Sequence, residues 1–295
     1  MFGQLFGDYL IRNGIISKDQ FNEVMEQQKA TRVKLGLIAA AEKLLTGEQA
    51  EEVNRLQLVM DKRFGDIAIE KGYLTEAQVS HLLSLQGNPY LLFVQTLIEK
   101  SILTLKDIES HLGAYQQSNH YSDNDIEALK SGDMDRIVPL FVHIESPLYN
   151  ELIGLAVRNM IRFISSDIVL EKSYGIKEYS FETLACQKVK GQHNIFLGFA
   201  AKGSDLLAVA SPFAKEDFTE INEDSYDAVC EFINCINGLF ATKLSHEDIE
   251  LDMLPPLSYS NGTVVSGGQI AVVPVTVGDK KIDLLVSIDD TTDVK

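Results

Sequence analysis

The chain has 295 residues, of which 45% are hydrophobic and 23% charged, and its formal net charge at pH 7 is −17. This length allows two domains with sizeable cores. The acidic balance argues against a nucleic-acid-binding protein, because contacts to phosphates need clustered Lys and Arg. No run of about 18 apolar residues occurs, and the N-terminus lacks a basic segment followed by an apolar one. We therefore expect no membrane insertion, no secretory signal peptide and a cytoplasmic location.

The first third of the sequence repeats with a period of 29 residues. Four similar units begin at Phe6, Leu35, Phe64 and Phe93. A glycine follows the opening residue of the first three units, at Gly7, Gly36 and Gly65, and glutamines close them, at Gln28, Gln57 and Gln86. Each unit has the pattern of two short helices, and the second helix opens with a capping signal at Ser17, Thr46, Thr75 or Thr104. Because such units bury their faces only against neighbours, we predict an all-α helical repeat module over residues 1–116.

These units resemble the N-terminal domain of type II secretion and pilus ATPases, in which an R-L-G motif takes part in binding cyclic di-GMP. The matching tripeptides here are Lys34-Leu35-Gly36 and Arg63-Phe64-Gly65. The resemblance implies Lys34, Gly36, Arg63 and Gly65 as ligand-binding residues. The alternative is that the glycines are close packing points between helices and that Arg63 is a solvated charge. No G-x-x-x-x-G-K-[ST] motif occurs, so the ATPase that usually follows this domain is absent from the sequence.

The segment that follows is polar and acidic. Residues 117–144 favour a connector between two domains, with one helical turn at residues 125–130. Beyond it, residues 149–170 have the periodicity of one long helix. Strand patterns then cover residues 181–189, 195–201, 206–210, 270–277 and 282–288. The last two strands are joined by Gly278-Asp279-Lys280, which suits a hairpin. Two long helices on a mostly antiparallel sheet predict an α+β two-layer domain over residues 145–295.

The most informative segment is a second long helix that contains DAVCEFINCING. Its apolar residues fill one arc, at Val229, Phe232, Ile233, Ile236 and Phe240. Asp227, Glu231 and Asn234 follow at i, i+4 and i+7, so they share the opposite face. There a carboxylate can take a cation from a partner, and an amide can orient a water. The alternative is that such polar residues only keep a helix surface solvated.

This arrangement resembles the CheC/CheX/FliY family of chemotaxis phosphatases over residues 145–288. The family signature is an acidic residue or Ser, then Glu, Asn and a small residue on one helix, with Pro about 22 residues after the Asn. The matching residues are Asp227, Glu231, Asn234, Gly238, Pro255 and Pro256. A single copy of the helix fits the CheX branch.

The resemblance implies hydrolysis of the aspartyl phosphate on a CheY-type receiver domain. In that reaction Glu231 would pair with a receiver lysine, Asn234 would hold the attacking water, and Asp227 would form the docking rim. The chain would have no cofactor of its own, since the receiver brings the Mg²⁺ ion, and it would pair as a homodimer. A different hypothesis is a non-catalytic docking or dimerisation scaffold whose repeats bind a partner or cyclic di-GMP. A secretion or pilus accessory protein would leave residues 145–288 unexplained.

The remaining reactive side chains form no recognisable site. Cys186, Cys230 and Cys235 are an odd number without metal-type spacing, so we expect buried thiols in a reducing compartment. The six histidines are scattered and lack the spacing of metal ligands, so we expect no metal site.

Overall fold

A computed structural model describes residues 2–27, 33–60, 62–142, 144, 146–165 and 168–295, without the side chains of residues 58 and 59. Gln28 and His143, which entered the sequence predictions, lie outside the described residues. The chain divides into two compact units, Phe2–Gly132 and Asp133–Lys295. We call them the helical unit and the sheet unit.

In the described residues the helical unit consists of short helices. They are α1 (Phe2–Arg12), α2 (Lys18–Gln27), α3 (Leu35–Ala41), α4 (Gly47–Met60), α5 (Phe64–Glu70), α6 (Glu76–Ser84), α7 (Pro89–Glu99), α8 (Leu105–Ser118) and α9 (Asp123–Ser131). Its core contains large aromatic residues, among which Phe6 and Phe93 are fully buried.

The predicted capping signals are confirmed as reciprocal hydrogen bonds at the starts of four helices. Ser17 Oγ accepts from the Gln20 amide at 3.1 Å, and the Ser17 amide donates to Gln20 Oε1 at 2.8 Å. The same pair of bonds recurs at Thr46, Thr75 and Thr104. Each satisfies backbone donors that a helix start leaves unpaired, which is worth about 1 kcal/mol per cap. The residue at which each of these helices begins is therefore encoded by side chains three positions apart in the sequence.

The glycines that follow the opening residue of a unit lie where two helices touch. A Cβ on Gly65 would lie 2.7 Å from Val79 Cγ1, and one on Gly7 would lie 2.1 Å from Phe21 Cε2. A Cβ on Gly36 would lie 3.0 Å from Phe64 Cε2. These distances are shorter than or at the limit of real Cβ contacts, so glycine permits the close helix crossing. The packing role that the sequence left as an alternative is therefore present in the structure.

The segment predicted as a connector is helical, which corrects the sequence prediction. Most of residues 117–144 belongs to the end of α8, to α9 and to α10 (Met134–Phe141). Ser122 and Asp133 cap the last two helices with their side chains. Buried Ile126, Leu129 and Ile137 anchor them. Tertiary burial of these few apolar residues outweighs the polar composition on which the prediction relied.

The sheet unit combines helices with long antiparallel strands. Its elements are α10, α11 (Pro147–Phe163), β1 (Ile168–Leu170), β2 (Tyr174–Gly191), β3 (Ile195–Ala201), α12 (Leu207–Ala214), α13 (Glu223–Ser245), β4 (Leu251–Met253), β5 (Leu257–Val277), β6 (Lys280–Ile288) and β7 (Thr292–Val294). The strand order is β1-β5-β6-β3-β2-β4, with β7 on β5. Because β5 also pairs with β2, the strands β2, β3, β6 and β5 pair in a closed cycle.

Two sequence predictions in this unit were wrong. The single helix predicted over residues 149–170 ends as α11 at Phe163, and strand β1 begins at Ile168. The strand predicted at residues 206–210 is helical from Leu207, where α12 begins. A short apolar run does not distinguish a buried strand from a buried helix. The predicted hairpin is confirmed, with Val277 paired to Lys280 across a two-residue turn and Gly278 at φ +62°. Gly tolerates this left-handed conformation without strain.

Alternation along the strands gives the sheet two different faces. One face carries a core cluster that includes Leu184, Phe196, Val272 and Leu285. The opposite face receives α13, where Phe232 stacks on Phe199 of β3 with ring centroids 5.6 Å apart. Phe213 of α12 and Phe163 of α11 continue this row of aromatic rings. The rotation of α13 about its axis is therefore fixed by its buried side.

Replacing Gly65 by Ala should lower the free energy of unfolding by about 1–3 kcal/mol, because the added methyl overlaps Val79. Gly113→Ala is the matched control within α8, since no described atom outside the adjoining residues and backbone of α8 lies within 4 Å of its added Cβ. That control should raise stability by about 0.5–1 kcal/mol. Denaturant unfolding of the full chain measures both effects. A Gly65→Ala protein as stable as the control would contradict the close crossing.

Candidate functional site on helix α13

Helix α13 begins at a capping box and carries acidic residues in its first turn. The Asn222 side chain accepts from the Ser225 amide at 2.9 Å, and the Asn222 amide donates to Ser225 Oγ at 2.8 Å. Glu223 and Asp224 in the first turn complement the positive end of the helix dipole. The predicted apolar arc is buried in full, at Val229, Phe232, Ile233, Ile236 and Phe240.

The three candidate residues predicted from the sequence lie together on the other side. Asp227, Glu231 and Asn234 are all exposed, and they span about 10 Å along the helix. The structure thus brings a carboxylate and a carboxamide one turn apart on an open surface. An approaching protein could meet both at once.

A buried glutamine that the sequence reasoning missed lies beneath Asn234. Gln187 of β2 is 2% exposed. Its Nε2 donates to Asn234 Oδ1 at 2.8 Å and to the carbonyl of Leu254 at 2.8 Å. Its Oε1 accepts from Asn237 Nδ2 at 2.8 Å. The only available signal was the position of two polar residues beside apolar ones, Gln187 after Leu184-Ala185-Cys186 and Asn237 after Ile236.

The small residue and the proline pair of the signature frame the same region. An added Cβ on Gly238 would meet only Met253 Cε, at 3.9 Å, among the described atoms. Pro255 and Pro256 lie between β4 and β5. They follow Leu254, whose amide donates to the carbonyl of Lys188 at 3.0 Å. Met253 is 41% exposed, so an apolar side chain borders the polar face.

The cysteines differ from the sequence expectation at one position. Cys186 and Cys230 are buried, but Cys235, next to Asn234, is exposed. Burial raises the pKa of Cys186 to about 12 and that of Cys230 to about 11. Since the thiolate is the nucleophilic form, these two thiols are unreactive at neutral pH. Cys235 is exposed because its position falls at the edge of the apolar arc.

The helical unit contains a cavity of about 800 Å³ at the predicted ligand residues. Lys34, Arg55, Arg63 and Gly65 are among its lining residues. Gly36 packs against Phe64 instead. Both predicted cationic side chains already have partners, because Lys34 pairs with Glu99 at 2.7 Å and Arg63 with Asp66 at 3.0 Å. The hydrogen bond that Arg63 Nε donates to the Asp66 carboxylate raises the pKa of Arg63.

Neither a metal cluster nor a membrane helix is found in the part of the chain that the structure describes. No group of three or more His, Cys, Asp or Glu side chains there could hold a metal ion. No described helix has the length and apolar character needed to cross a membrane.

Comparison with known proteins places a family match over this site. Residues 183–276 match the family model described as chemotaxis phosphatase CheX. The matched segment contains Gln187, Asp227, Glu231, Asn234 and the proline pair. No curated protein matches the chain. Residues 183–276, which include the whole exposed face of α13, are therefore similar to this family.

Several solved structures are similar to about half of the chain. A CheC-like superfamily protein from Shewanella sp. PV-4 is 18% identical with a TM-score of 0.44, covering 49% of this chain and 99% of that one. The chemotaxis protein CheX from Desulfovibrio desulfuricans is 14% identical with a TM-score of 0.42, covering 48% and 99%. A chain of the CheX–CheY–BeF3–Mg²⁺ complex from Borrelia burgdorferi is 18% identical with a TM-score of 0.38, covering 48% and 97%.

Proposed function

We propose that the sheet unit is a phosphatase that hydrolyses the aspartyl phosphate of a CheY-type receiver domain. The observation that carries the proposal is the exposed face of α13, where Glu231 and Asn234 lie one turn apart. The family match over residues 183–276 supports the reaction type. A scaffold that only docked would need the surface but not a carboxamide anchored from below.

The chemistry suits a protein that supplies positioning and charge rather than a nucleophile. Phosphoryl transfer from an acyl phosphate needs an in-line water and stabilisation of the charge on the phosphoryl oxygens. In the proposal, Glu231 pairs with a lysine of the receiver and Asn234 holds the attacking water. Asp227, one turn earlier, forms the docking rim. The water oxygen bonds to phosphorus, and the bond to the aspartyl oxygen breaks and releases the carboxylate.

The Mg²⁺ ion of the reaction belongs, in this proposal, to the receiver domain. The two buried cysteines are held as thiols by their raised pKa values, so neither of them acts as a covalent nucleophile in the proposal. A homodimer and a cytoplasmic location stay predictions from the sequence.

Replacing Asn234 by Ala should lower kcat for receiver dephosphorylation by about 100-fold or more and leave KM nearly unchanged, because the attacking water loses the amide that positions it.

Replacing Glu231 by Ala should lower kcat/KM by about tenfold or more, because docking loses a charge-assisted hydrogen bond. The measurement is the decay of a phosphorylated CheY-type receiver at several receiver concentrations.

Glu247→Ala is the matched control, since this glutamate is exposed just beyond the end of α13. It removes the same charge away from the proposed face and should leave both kinetic constants within about twofold. Full activity of Asn234→Ala would contradict the proposed role of the amide.

We propose a second function for the helical unit, the binding of cyclic di-GMP. The observation that favours it is the cavity of about 800 Å³ lined by Lys34, Arg55, Arg63 and Gly65. Its volume falls within the range of small-molecule sites. Arg side chains can hold a phosphate through two parallel hydrogen bonds. Binding would require Arg63 to exchange Asp66 for the ligand, so the affinity would be lowered by that competition.

Arg63→Ala should abolish binding of cyclic di-GMP measured by isothermal titration calorimetry. Arg12→Ala, an exposed arginine of the same unit that does not line the cavity, should leave the affinity unchanged. Raised salt should weaken binding by the unmodified protein, since the attraction is between charges. No heat of binding to the unmodified protein, or equal binding by Arg63→Ala, would contradict this second function.

A further inference from the structure

We infer that Gln187 is a positioning residue that fixes which end of the Asn234 amide faces the receiver. The inference rests on the phosphatase function proposed above. Gln187 lies on the side of β2 that faces α13, beneath the candidate site. Because Gln187 is buried, it cannot contact the receiver directly. Its effect on the reaction therefore passes through Asn234.

The hydrogen bonds of Gln187 use its amide almost completely. Both N–H groups of Nε2 are donated, to the Leu254 carbonyl and to Asn234 Oδ1, each at 2.8 Å. Oε1 accepts from Asn237 Nδ2 at 2.8 Å. At 2% exposure, water is unavailable to replace a lost partner. An amide held at three points in a buried site has one rotamer.

A backbone carbonyl decides the direction of this chain of bonds. The Leu254 carbonyl can only accept a hydrogen bond, so Gln187 must turn Nε2 and not Oε1 toward it. The Asn237 amide completes the choice by donating to Oε1 from the other side. The second N–H of Gln187 is then left facing α13, where only an acceptor can satisfy it.

Asn234 therefore turns its oxygen inward and its –NH₂ group outward. The reverse orientation would bring two donors together and leave a buried N–H unpaired, which disfavours it by roughly tenfold or more. Without Gln187, nothing among the hydrogen bonds of the described residues would distinguish the two orientations. Asn234 is exposed, and an exposed amide otherwise turns freely between them.

The orientation matters because the –NH₂ end of an amide donates hydrogen bonds, whereas its carbonyl end accepts them. An outward –NH₂ can donate one hydrogen to the attacking water, whose second lone pair forms the bond to phosphorus. It can donate the other hydrogen to a phosphoryl oxygen. The electron pair of the broken bond goes to the aspartate carboxylate, and the water proton goes to the phosphate product. An outward carbonyl oxygen would repel the phosphoryl oxygens instead.

The test is a double-mutant cycle between Gln187→Met and Asn234→Ala, with kcat and KM for the phosphorylated receiver as readouts. Methionine keeps the length and burial of the side chain and removes its hydrogen bonds. Gln187→Met should lower kcat about tenfold with KM within about twofold, and it should have no further effect when Asn234 is already Ala. A merely structural role would lower both backgrounds alike.

Thr183→Val is the matched control on the same strand. Thr183 is 7% exposed, and its hydroxyl donates to the Ala201 carbonyl at 3.1 Å. Removing this buried hydrogen bond should alter stability while leaving kcat and KM within about twofold.

A spectroscopic readout separates this inference from the proposed function. In the ¹⁵N-labelled full chain, the two side-chain amide protons of Asn234 should resonate away from those of solvated asparagines. In Gln187→Met they should move to the solvated values. If the unmodified protein does not accelerate receiver decay, the proposed function fails, and these resonances still decide whether Gln187 orients Asn234.

A second variant covers the case in which Gln187→Met does not fold. Asn237→Leu removes the donor to Gln187 Oε1, and Asn237 Oδ1 has no hydrogen-bond partner among the described residues. The variant should therefore fold and lower kcat about threefold by loosening Gln187. An active unmodified protein whose kcat is unchanged in Gln187→Met, or in Asn237→Leu if the first variant is unfolded, would overturn the inference.

Discussion

The burial of the Gln187 amide between the sheet and α13 is the constraint on which the candidate site depends. At 2% exposure, Gln187 can find hydrogen-bond partners only within the protein. Those bonds join the strand β2, the helix α13 and the chain just before the proline pair. The helix cannot rotate or slide without breaking them. The open face of α13 is therefore held in one register relative to the sheet.

Burial of the apolar side of α13 stabilises its packing on the sheet, and the hydrogen bonds of Gln187 fix the position in which it packs. Fully buried Phe232 stacks on Phe199 and meets Phe213, so large aromatic areas leave water together. Burial of one such ring contributes about 1.5–3 kcal/mol. The polar contact adds less free energy, but it selects one arrangement. The helical unit is organised differently. Side-chain caps fix where its short helices begin, and glycines at the helix contacts allow them to pack closely.

How far the sequence predicted the structure depends on the range of the interactions. The two faces of α13 follow from a helical period of 3.6 residues, and the caps at Ser17 and Thr104 involve residues three apart, so both were readable in the sequence. The helices within residues 117–144 and the helix over residues 206–210 were missed because tertiary burial decides them. Gln187 was missed because its partners lie 47 and 67 residues away. The sequence shows neither the pairing nor the burial that gives this residue its role.

The central claim is that the exposed face of α13 is the surface that meets a phosphorylated receiver. The most direct test is an NMR titration of the ¹⁵N-labelled chain with a CheY-type receiver activated by beryllofluoride and Mg²⁺. The account predicts the largest shifts at Glu231, at the side-chain amide of Asn234 and along that face. Shifts confined to the helical unit, or to parts of the sheet remote from α13, would contradict it.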